Sequence, residues 1–355
     1  MRVALVGAGV IAAQYAACIG DRPRLELAGA TDTIPERAEE LVAAHGGRAY
    51  ASLAELLADG SVDTLVNLTT ARWHAEVTRA GLEAGKHVYS EKPLALDAAD
   101  AWALAGLARE RDLRLACAPA TMLGEAQQTA WKLVREGRLG RVRAVNAEAN
   151  WGRIEAWHPA PETFYEVGPL GDVGIYPLAI VTSIFGPVRR VTGFATTLVP
   201  ERVRLDGRPF TVTTPDTWLA ALELESGVLV RLSASFSVNP GKQRGLEIHG
   251  DDASLWLPEF LRFDSPLELS GGGEEYTPVP LLGEPYEGVD WARGLAELAD
   301  AIESGRPHRT SAEQAAHLVE VLDAVDRSRR EGGPVELASS FDPPEPLDPG
   351  VAAVG

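Results

Sequence analysis

The chain begins with a short apolar run, Arg2 to Val6, that breaks into Gly7-Ala8-Gly9-Val10-Ile11-Ala12 and continues as an amphipathic stretch. A strand that turns through two glycines into a helix is the opening of a βαβ unit, and it commits the N-terminal part to a parallel sheet wound with helices. Each small residue has a reason. Gly7 permits a tight turn, Gly9 lets a pyrophosphate approach the backbone, and Ala12 keeps helix and strand close. The helix N-terminus offers unsatisfied N–H donors and a partial positive charge to the phosphates, which places Val10 and Ile11 beside the same group. Asp32 ends the next apolar run, near the spacing at which an acid hydrogen-bonds ribose hydroxyls. A carboxylate there repels the extra phosphate of NADP, so NAD is the expected cofactor, with Arg37 one turn on as the group able to reach a phosphate. Asp32 is equally placed to cap the helix that starts at Pro35.

The first 120 residues keep alternating short apolar runs (2–6, 25–30, 64–67, 87–89, 114–116) with amphipathic stretches at 35–44, 74–84 and 97–109. After Pro119 the pattern changes to one helix near 127–136 and then strands at 142–150, 188–196, 218–224, 228–236, 245–249 and 254–257. The segment Glu225-Ser226-Gly227 joins two of these as a hairpin loop. In the strand that follows, Val228, Val230, Leu232, Ala234 and Phe236 alternate with Leu229, Arg231, Ser233 and Ser235, so one face packs and the other is more polar. Two late helices, 291–304 and 312–330, close the fold. The expected organisation is an α/β protein: a Rossmann dinucleotide-binding domain over 1–120, an α/β domain with a large, mostly antiparallel open sheet over 121–341, and a flexible proline-rich tail over 342–355.

Thirty-three basic against fifty-one acidic residues give a net charge of −18, which repels phosphate backbones and anionic lipid and argues against nucleic-acid or membrane partners. No apolar run approaches the ~18 residues of a membrane span. The N-terminus lacks the basic start and long apolar core of a signal peptide, and Cys18 and Cys117 fall in buried-looking patterns, so a reduced cytoplasmic protein is expected. The seven histidines have no metal-ligand spacing and there is no Gly-x-Ser-x-Gly elbow, which disfavours zinc and serine-hydrolase chemistry.

A second motif sits at the end of an apolar run: His87-Val88-Tyr89-Ser90-Glu91-Lys92-Pro93. Only Lys86, Lys92, Lys132 and Lys242 are lysine among the basic residues. Arginine does not release its proton in proteins and a desolvated lysine does, so Lys92 is a candidate for proton chemistry. Further on, Trp151, Trp157, His158 and Tyr165 crowd the segment before Asp172, and flat aromatics with hydrogen-bonding neighbours suit a sugar ring as well as they suit a core.

The N-terminal fingerprint, the block from Ala84 to Ala95, and the block Gly168-Pro169-Leu170-Gly171-Asp172-Val173-Gly174-Ile175-Tyr176-Pro177 together resemble, in order and spacing, the glucose–fructose oxidoreductase and inositol dehydrogenase (Gfo/Idh/MocA) family over nearly the whole chain. The resemblance implies hydride transfer between a nicotinamide and a secondary hydroxyl or ketone of a sugar, sugar derivative or cyclitol. It implies that Thr69, Glu91 and Lys92 lie near the nicotinamide, that His74 lies there too or is a satisfied structural histidine, that Pro93 is cis, and that the open sheet makes a homodimer or homotetramer. In the family a lysine works with Asp and His of an Asp-x-Gly-x-His motif. Here Tyr176 stands in place of the histidine, as in the branch that includes dimeric dihydrodiol dehydrogenase. A phenol with its ordinary pKa of about 10 needs a nearby cation to act as base at neutrality. The catalytic set is therefore Lys92, Asp172 and Tyr176, with either Tyr176 or Lys92 moving the proton. Two other readings stand beside this one: a glycoside-cleaving enzyme with transient hydride transfer to bound NAD, and a catalytically decayed cofactor-binding protein. Pro177 removes a helical N–H next to Tyr176, so a helix either starts there or is distorted there.

Overall fold

Six parallel strands make the first sheet: β1 (Arg2–Val6), β2 (Glu26–Thr31), β3 (Arg48–Ala49), β4 (Thr64–Asn67), β5 (His87–Ser90) and β6 (Leu115–Cys117), in the order β3-β2-β1-β4-β5-β6. The order reverses between β1 and β4, and the carboxyl ends of strands at such a reversal form the crevice where an open α/β sheet binds ligands. The computed structural model describes residues 1–239, 241–272 and 275–347. Helices α1 (Val10–Gly20), α2 (Pro35–His45), α3 (Leu53–Ala58), α4 (Ala71–Glu83) and α5 (Ala98–Glu110) connect the strands. Strand side chains alternate faces. Val3 and Leu5 therefore join Tyr15 and Ile19 of α1 in one apolar cluster, while Ala4 and Val6 join Leu65, Leu82, Val88 and Leu104 in another.

The chain forms two compact units, and their boundaries differ from the expected ones. The first unit takes in Asp290–Val319 as well as Met1–Ala120; the second comprises Thr121–Val289 and Glu320–Leu347. The physical reason is apolar. Leu295 and Leu298 of the helix Arg293–Ser304 pack in the cluster of Val3, Leu5 and Tyr15, and Ala312, Ala316 and Val319 pack in the cluster of Leu65 and Leu104. Of the tail expected over 342–355, residues 348–355 lie outside the described residues. Before them the chain is tied down within the second unit, where the Leu347 N–H donates to Gln128 Oε1 at 2.8 Å and Glu345 pairs with Arg135.

In the second unit, α6 (Glu125–Arg135) precedes β7 (Val142–Asn150), and α7 (Glu162–Pro169) runs through a π-helical turn, Leu170–Gly174, into α8 (Ile175–Phe185). The strands are β8 (Val188–Thr196), β9 (Glu201–Val203), β10 (Pro209–Thr211), β11 (Thr217–Leu224), β12 (Leu229–Ser235), β13 (Gly245–Gly250), β14 (Ser254–Leu257), β15 (Glu268–Ser270), β16 (Thr277–Pro278) and β17 (Val335–Glu336). All but the short β9–β10 ribbon build one nine-stranded sheet, ordered β16-β15-β14-β13-β7-β12-β11-β8-β17, in which only β12 and β7 pair in parallel. The β11–β12 hairpin forms as read from sequence, with Val230, Leu232, Ala234 and Phe236 buried and Leu229 exposed, but Ser233 and Ser235, expected on the polar face, are buried as well. The stretch 162–185 departs from expectation: two helical segments meet at a kink at Gly168, whose φ of +75° is not helical, and 83% of the most apolar window of the stretch is buried inside the protein, as for core helices.

A buried charge network fixes the loops at one end of this sheet. Arg202 donates to Glu155 (2.9 Å), Asp216 (2.6 Å), the Val199 carbonyl and Ser237, and stacks over the Tyr165 ring at 4.5 Å. Burial acts to raise the Asp216 pKa, but the Leu198 N–H, the Ser237 hydroxyl, the Val199 N–H and Arg202 together hold it below the usual carboxylate range. Removing the guanidinium strands two buried carboxylates. Arg202→Ala is expected to destabilise the second unit by about 3–5 kcal/mol in denaturant titrations. Because the Asp216 pKa is depressed on folding, its stabilisation is present above the unfolded value of about 4 and disappears as pH falls through the lowered folded value. Wild-type acid unfolding is therefore expected to flatten in the Asp216→Asn variant; an identical acid limb for both proteins would contradict this.

Candidate active site

The glycine turn is built as the motif requires. Gly7 has φ +95°, and a Cβ there would stand 2.7 Å from the Leu68 carbonyl oxygen, so only glycine lets the end of β1 pass the end of β4. Gly9 caps α1 without a side-chain bond, and no atom lies within 4 Å of the position its Cβ would take. Val10 is largely exposed beside it, Ile11 is half-buried, and Ala12 is fully buried. Open space in front of an uncapped helix N-terminus fits a dinucleotide pyrophosphate.

Asp32 does more locally than sequence indicated. Its Oδ2 accepts the Ala8 N–H at 2.7 Å and its Oδ1 accepts the Ile34 N–H at 2.8 Å, which pins the glycine turn to the end of β2 and shapes the turn that leads into α2. The capping reading is not the one seen, since Ile34 is the N-cap of α2 and makes no side-chain cap bond; the carboxylate is half-exposed and its remaining lone pairs suit ribose hydroxyls.

The loop after β4 is held by residues that sequence reasoning missed. Buried Asn67 donates to the His74 carbonyl (3.0 Å) and Thr78 Oγ1 (3.1 Å) and accepts from Thr69 Oγ1 (2.7 Å). Its one signal was an amide closing an apolar run. His74, expected near the cofactor, is 2% exposed, with Nδ1 2.6 Å from the Pro93 carbonyl and Nε2 2.9 Å from the Thr69 carbonyl. Both ring nitrogens are occupied by backbone, so His74 clamps two loops and offers no polar atom to a ligand. Burial lowers its pKa, against the pull of those carbonyls.

The Lys92–Pro93 bond is cis, as the resemblance implied. Lys92 is half-buried. Glu91 turns inward: its Oε1 accepts the Tyr15 hydroxyl at 2.7 Å and its Oε2 accepts the Lys92 N–H at 3.1 Å, so its carboxylate faces protein and not a cofactor.

In the second unit Asp172 lies in the π-turn and Tyr176 in the first turn of α8. The clash expected from Pro177 is absorbed there, because the wider π-turn ahead of it loosens the hydrogen-bond ladder that proline cannot complete. Tyr176 is 6% exposed and stacks on Phe260 with ring centroids 6.4 Å apart. Gly174 packs over Ala234 of β12, which pairs with Ala149 of β7, two residues before Trp151. Trp151 and Trp157 are 41% and 50% exposed and stack at 6.4 Å and 26°, flanked by His158 and Phe164 edge-on. His158 Nδ1 accepts the Ala160 N–H. Tyr165 is corrected: at 3% exposure it donates to Glu155 beneath Arg202, so it braces the aromatic segment and does not line an open surface.

A family model described as an oxidoreductase family with an NAD-binding Rossmann fold matches residues 1–118, and one described as the GFO/IDH/MocA C-terminal domain matches residues 127–256. The trans-1,2-dihydrobenzene-1,2-diol dehydrogenase of Oryctolagus cuniculus is 30% identical, over 66% of this chain and 68% of its own length. The UDP-N-acetylglucosamine 3-dehydrogenase of Acidithiobacillus ferrooxidans is 29% identical over 87% of this chain and 90% of its own. Among solved structures, the aldose-aldose oxidoreductase of Caulobacter crescentus, complexed with glycerol, shares the fold with a TM-score of 0.83 at 22% identity, over 95% of this chain and 99% of that one.

The two glycines separate folding from binding. Gly7→Ala forces a Cβ into the Leu68 carbonyl at a positive φ and is expected to lower the melting temperature as well as abolish NADH fluorescence enhancement. Gly9→Ala has room for its methyl and should melt like wild type while binding NADH at least about tenfold more weakly; equal affinity would remove the glycine turn from the cofactor site.

Proposed function

This chain belongs to the Gfo/Idh/MocA family of NAD(P)-dependent oxidoreductases, and we propose that its substrate is a sugar, sugar derivative or cyclitol bearing a secondary hydroxyl or ketone. The observation that carries the substrate class is the exposed Trp151–Trp157 stack, adjoining the sheet end over which the Asp172 segment packs. The two exposed, stacked indoles offer flat apolar area to the C–H face of a sugar ring, and His158 beside them offers a polar ring edge. The nicotinamide, when bound, supplies the hydride acceptor or donor. Everything else falls to the chain. Gly7, Gly9, Val10, Ile11 and Asp32 would hold the dinucleotide, with Thr69 in the loop beside them. Asp32 presents negative charge where NADP carries its extra phosphate, which supports NAD over NADP.

In this reading Tyr176, in the place of the family's usual histidine, takes the substrate hydroxyl proton. The Lys92 ammonium lowers the cost of the phenolate, and Asp172 orients the substrate or the lysine. Phe194 and Leu219, directly opposite each other on β8 and β11 and both more than half exposed, support self-association through the open sheet face.

The reading is tested by following NADH absorbance while the protein is offered sugars, cyclitols and dihydrodiols with NAD and NADP separately. Lys92→Met is expected to cut turnover by about 10²–10⁴-fold with NADH binding retained, and Tyr176→Phe by a similar factor; a full-rate Phe variant would remove tyrosine from the proton path. Asp32→Ala should reduce the NAD-over-NADP preference by about tenfold. Cleavage of a chromogenic glycoside without net NADH formation would replace hydride exchange with the glycoside-cleaving reaction.

A further inference from the structure

One buried side chain joins the loops that follow β4 and β5, and it makes contacts that its neutral form cannot both complete. His74, on α4, sets Nδ1 2.6 Å from the Pro93 carbonyl oxygen and Nε2 2.9 Å from the Thr69 carbonyl oxygen. Both partners are acceptors. A neutral imidazole has one N–H and one bare nitrogen, so it donates to one of the two, and only the imidazolium donates to both. Neither carbonyl turns aside freely. Thr69 is tied through its N–H and its Oγ1 to Asn67 Oδ1, and Pro93 leads directly into Leu94 and Ala95, each 1% exposed. The charged and titratable groups around the ring come from several elements. Glu91 and Lys92 follow β5; the Tyr15 hydroxyl of α1 donates to the Glu91 carboxylate, and the Cys117 thiol of β6 donates to the Glu91 carbonyl. On α4 itself Arg72 and Glu76 are exposed, and Arg79 pairs with Asp100 of α5 at 3.6 Å. Burial is the largest influence and disfavours the charged ring, as Lys92 does, whereas the two carbonyls and Glu91 favour it. The double clamp is thus set against the cost of burying a charge, which brings its second proton within reach of solution pH.

We propose that His74 is a proton-dependent positioning residue for the cofactor site: as an imidazolium it locks the Thr69 loop to the Pro93 loop, and on losing a proton to solvent it releases one of them. The nitrogen left bare then faces a carbonyl oxygen, and lone-pair repulsion moves that loop away. Acid closes this end of the sheet and alkali loosens it. Dinucleotide binding is thereby linked to proton uptake at a residue that touches no ligand. This deepens the cofactor reading given above and rests on it for the place of Thr69 beside the dinucleotide.

The proton count is measurable without cofactor or substrate. Seven histidines give a sparse ¹⁵N-imidazole spectrum, in which His74→Gln identifies the His74 pair. Between about pH 5 and about pH 8 the two nitrogens are expected to pass from both protonated to one bare, with the ¹³C carbonyl signal of Thr69 or Pro93 moving at the same midpoint. A ring whose proton count never changes over that range, whether it holds one proton or two, overturns the proposal, and so does a ring that titrates while both carbonyl signals stay still. NADH affinity, read by fluorescence, should weaken by up to about tenfold per pH unit above the midpoint in wild type and lose that dependence in His74→Gln. A flat wild-type profile overturns the link to the cofactor site. If His74→Gln does not fold, the ring is assigned through its couplings to the labelled α4 backbone, and the wild-type titration decides alone. Failure of the oxidoreductase reading would appear separately, as a protein that binds NADH with the expected pH profile yet reduces no NAD with any panel compound.

Discussion

The first unit depends on the backbone of Gly7 passing against the Leu68 carbonyl. A side chain at that point would push the end of β1 away from the end of β4, and those two strand ends form the reversal of the sheet. With the approach made, four neighbouring strand ends are tied together by polar side chains. Asp32 holds the glycine turn to β2, Asn67 holds its own following loop, and His74 joins that loop to Pro93 after β5. A parallel sheet delivers all its strand ends to one side. The loops there are exposed backbone, and each needs a buried partner to keep one shape.

The second unit solves the same problem with charge. Its aromatic segment runs beyond the end of β7, held to the sheet by the Trp151 N–H, which donates to the Ser235 carbonyl at 2.9 Å. Arg202 gathers Glu155, Asp216 and Ser237 beneath Tyr165, so that a loop carrying exposed indoles rests on a fully bonded buried platform. Such a network specifies one loop arrangement because every alternative leaves an ion unpaired.

Local features were legible in the sequence where local physics decides them. The glycine turn, the hairpin at Glu225–Gly227 and the alternation of β12 follow from turn chemistry and side-chain period, and the structure carries the first two throughout and the third as far as Leu232, beyond which Ser233 and Ser235 are buried too. What sequence missed was decided by tertiary contact. Nothing in Leu295 or Leu298 says which of two apolar cores they will join, so the return of 290–319 to the first unit was hidden. Tyr165 and His74 have the same residue chemistry whether they face a ligand or a carbonyl, and only burial and partners separate the cases. The π-turn was foreshadowed by Pro177, yet its site upstream, at Asp172, depends on packing against β12.

The scarcity of lysine illustrates the limit of reading function from residue choice. Lys86 is buried, more deeply than Lys92, and it donates to the Asp59 and Val62 carbonyls at 2.7 and 2.8 Å, closing off a helix end. Lys132 pairs with Glu136 one turn along its helix. A chain that otherwise prefers arginine therefore keeps lysine for reasons unrelated to proton transfer, since three rotatable donors on a slender stem fit where a planar fork does not. What distinguishes Lys92 is its surroundings: a buried carboxylate next to it in sequence, anchored by a tyrosine from the dinucleotide helix.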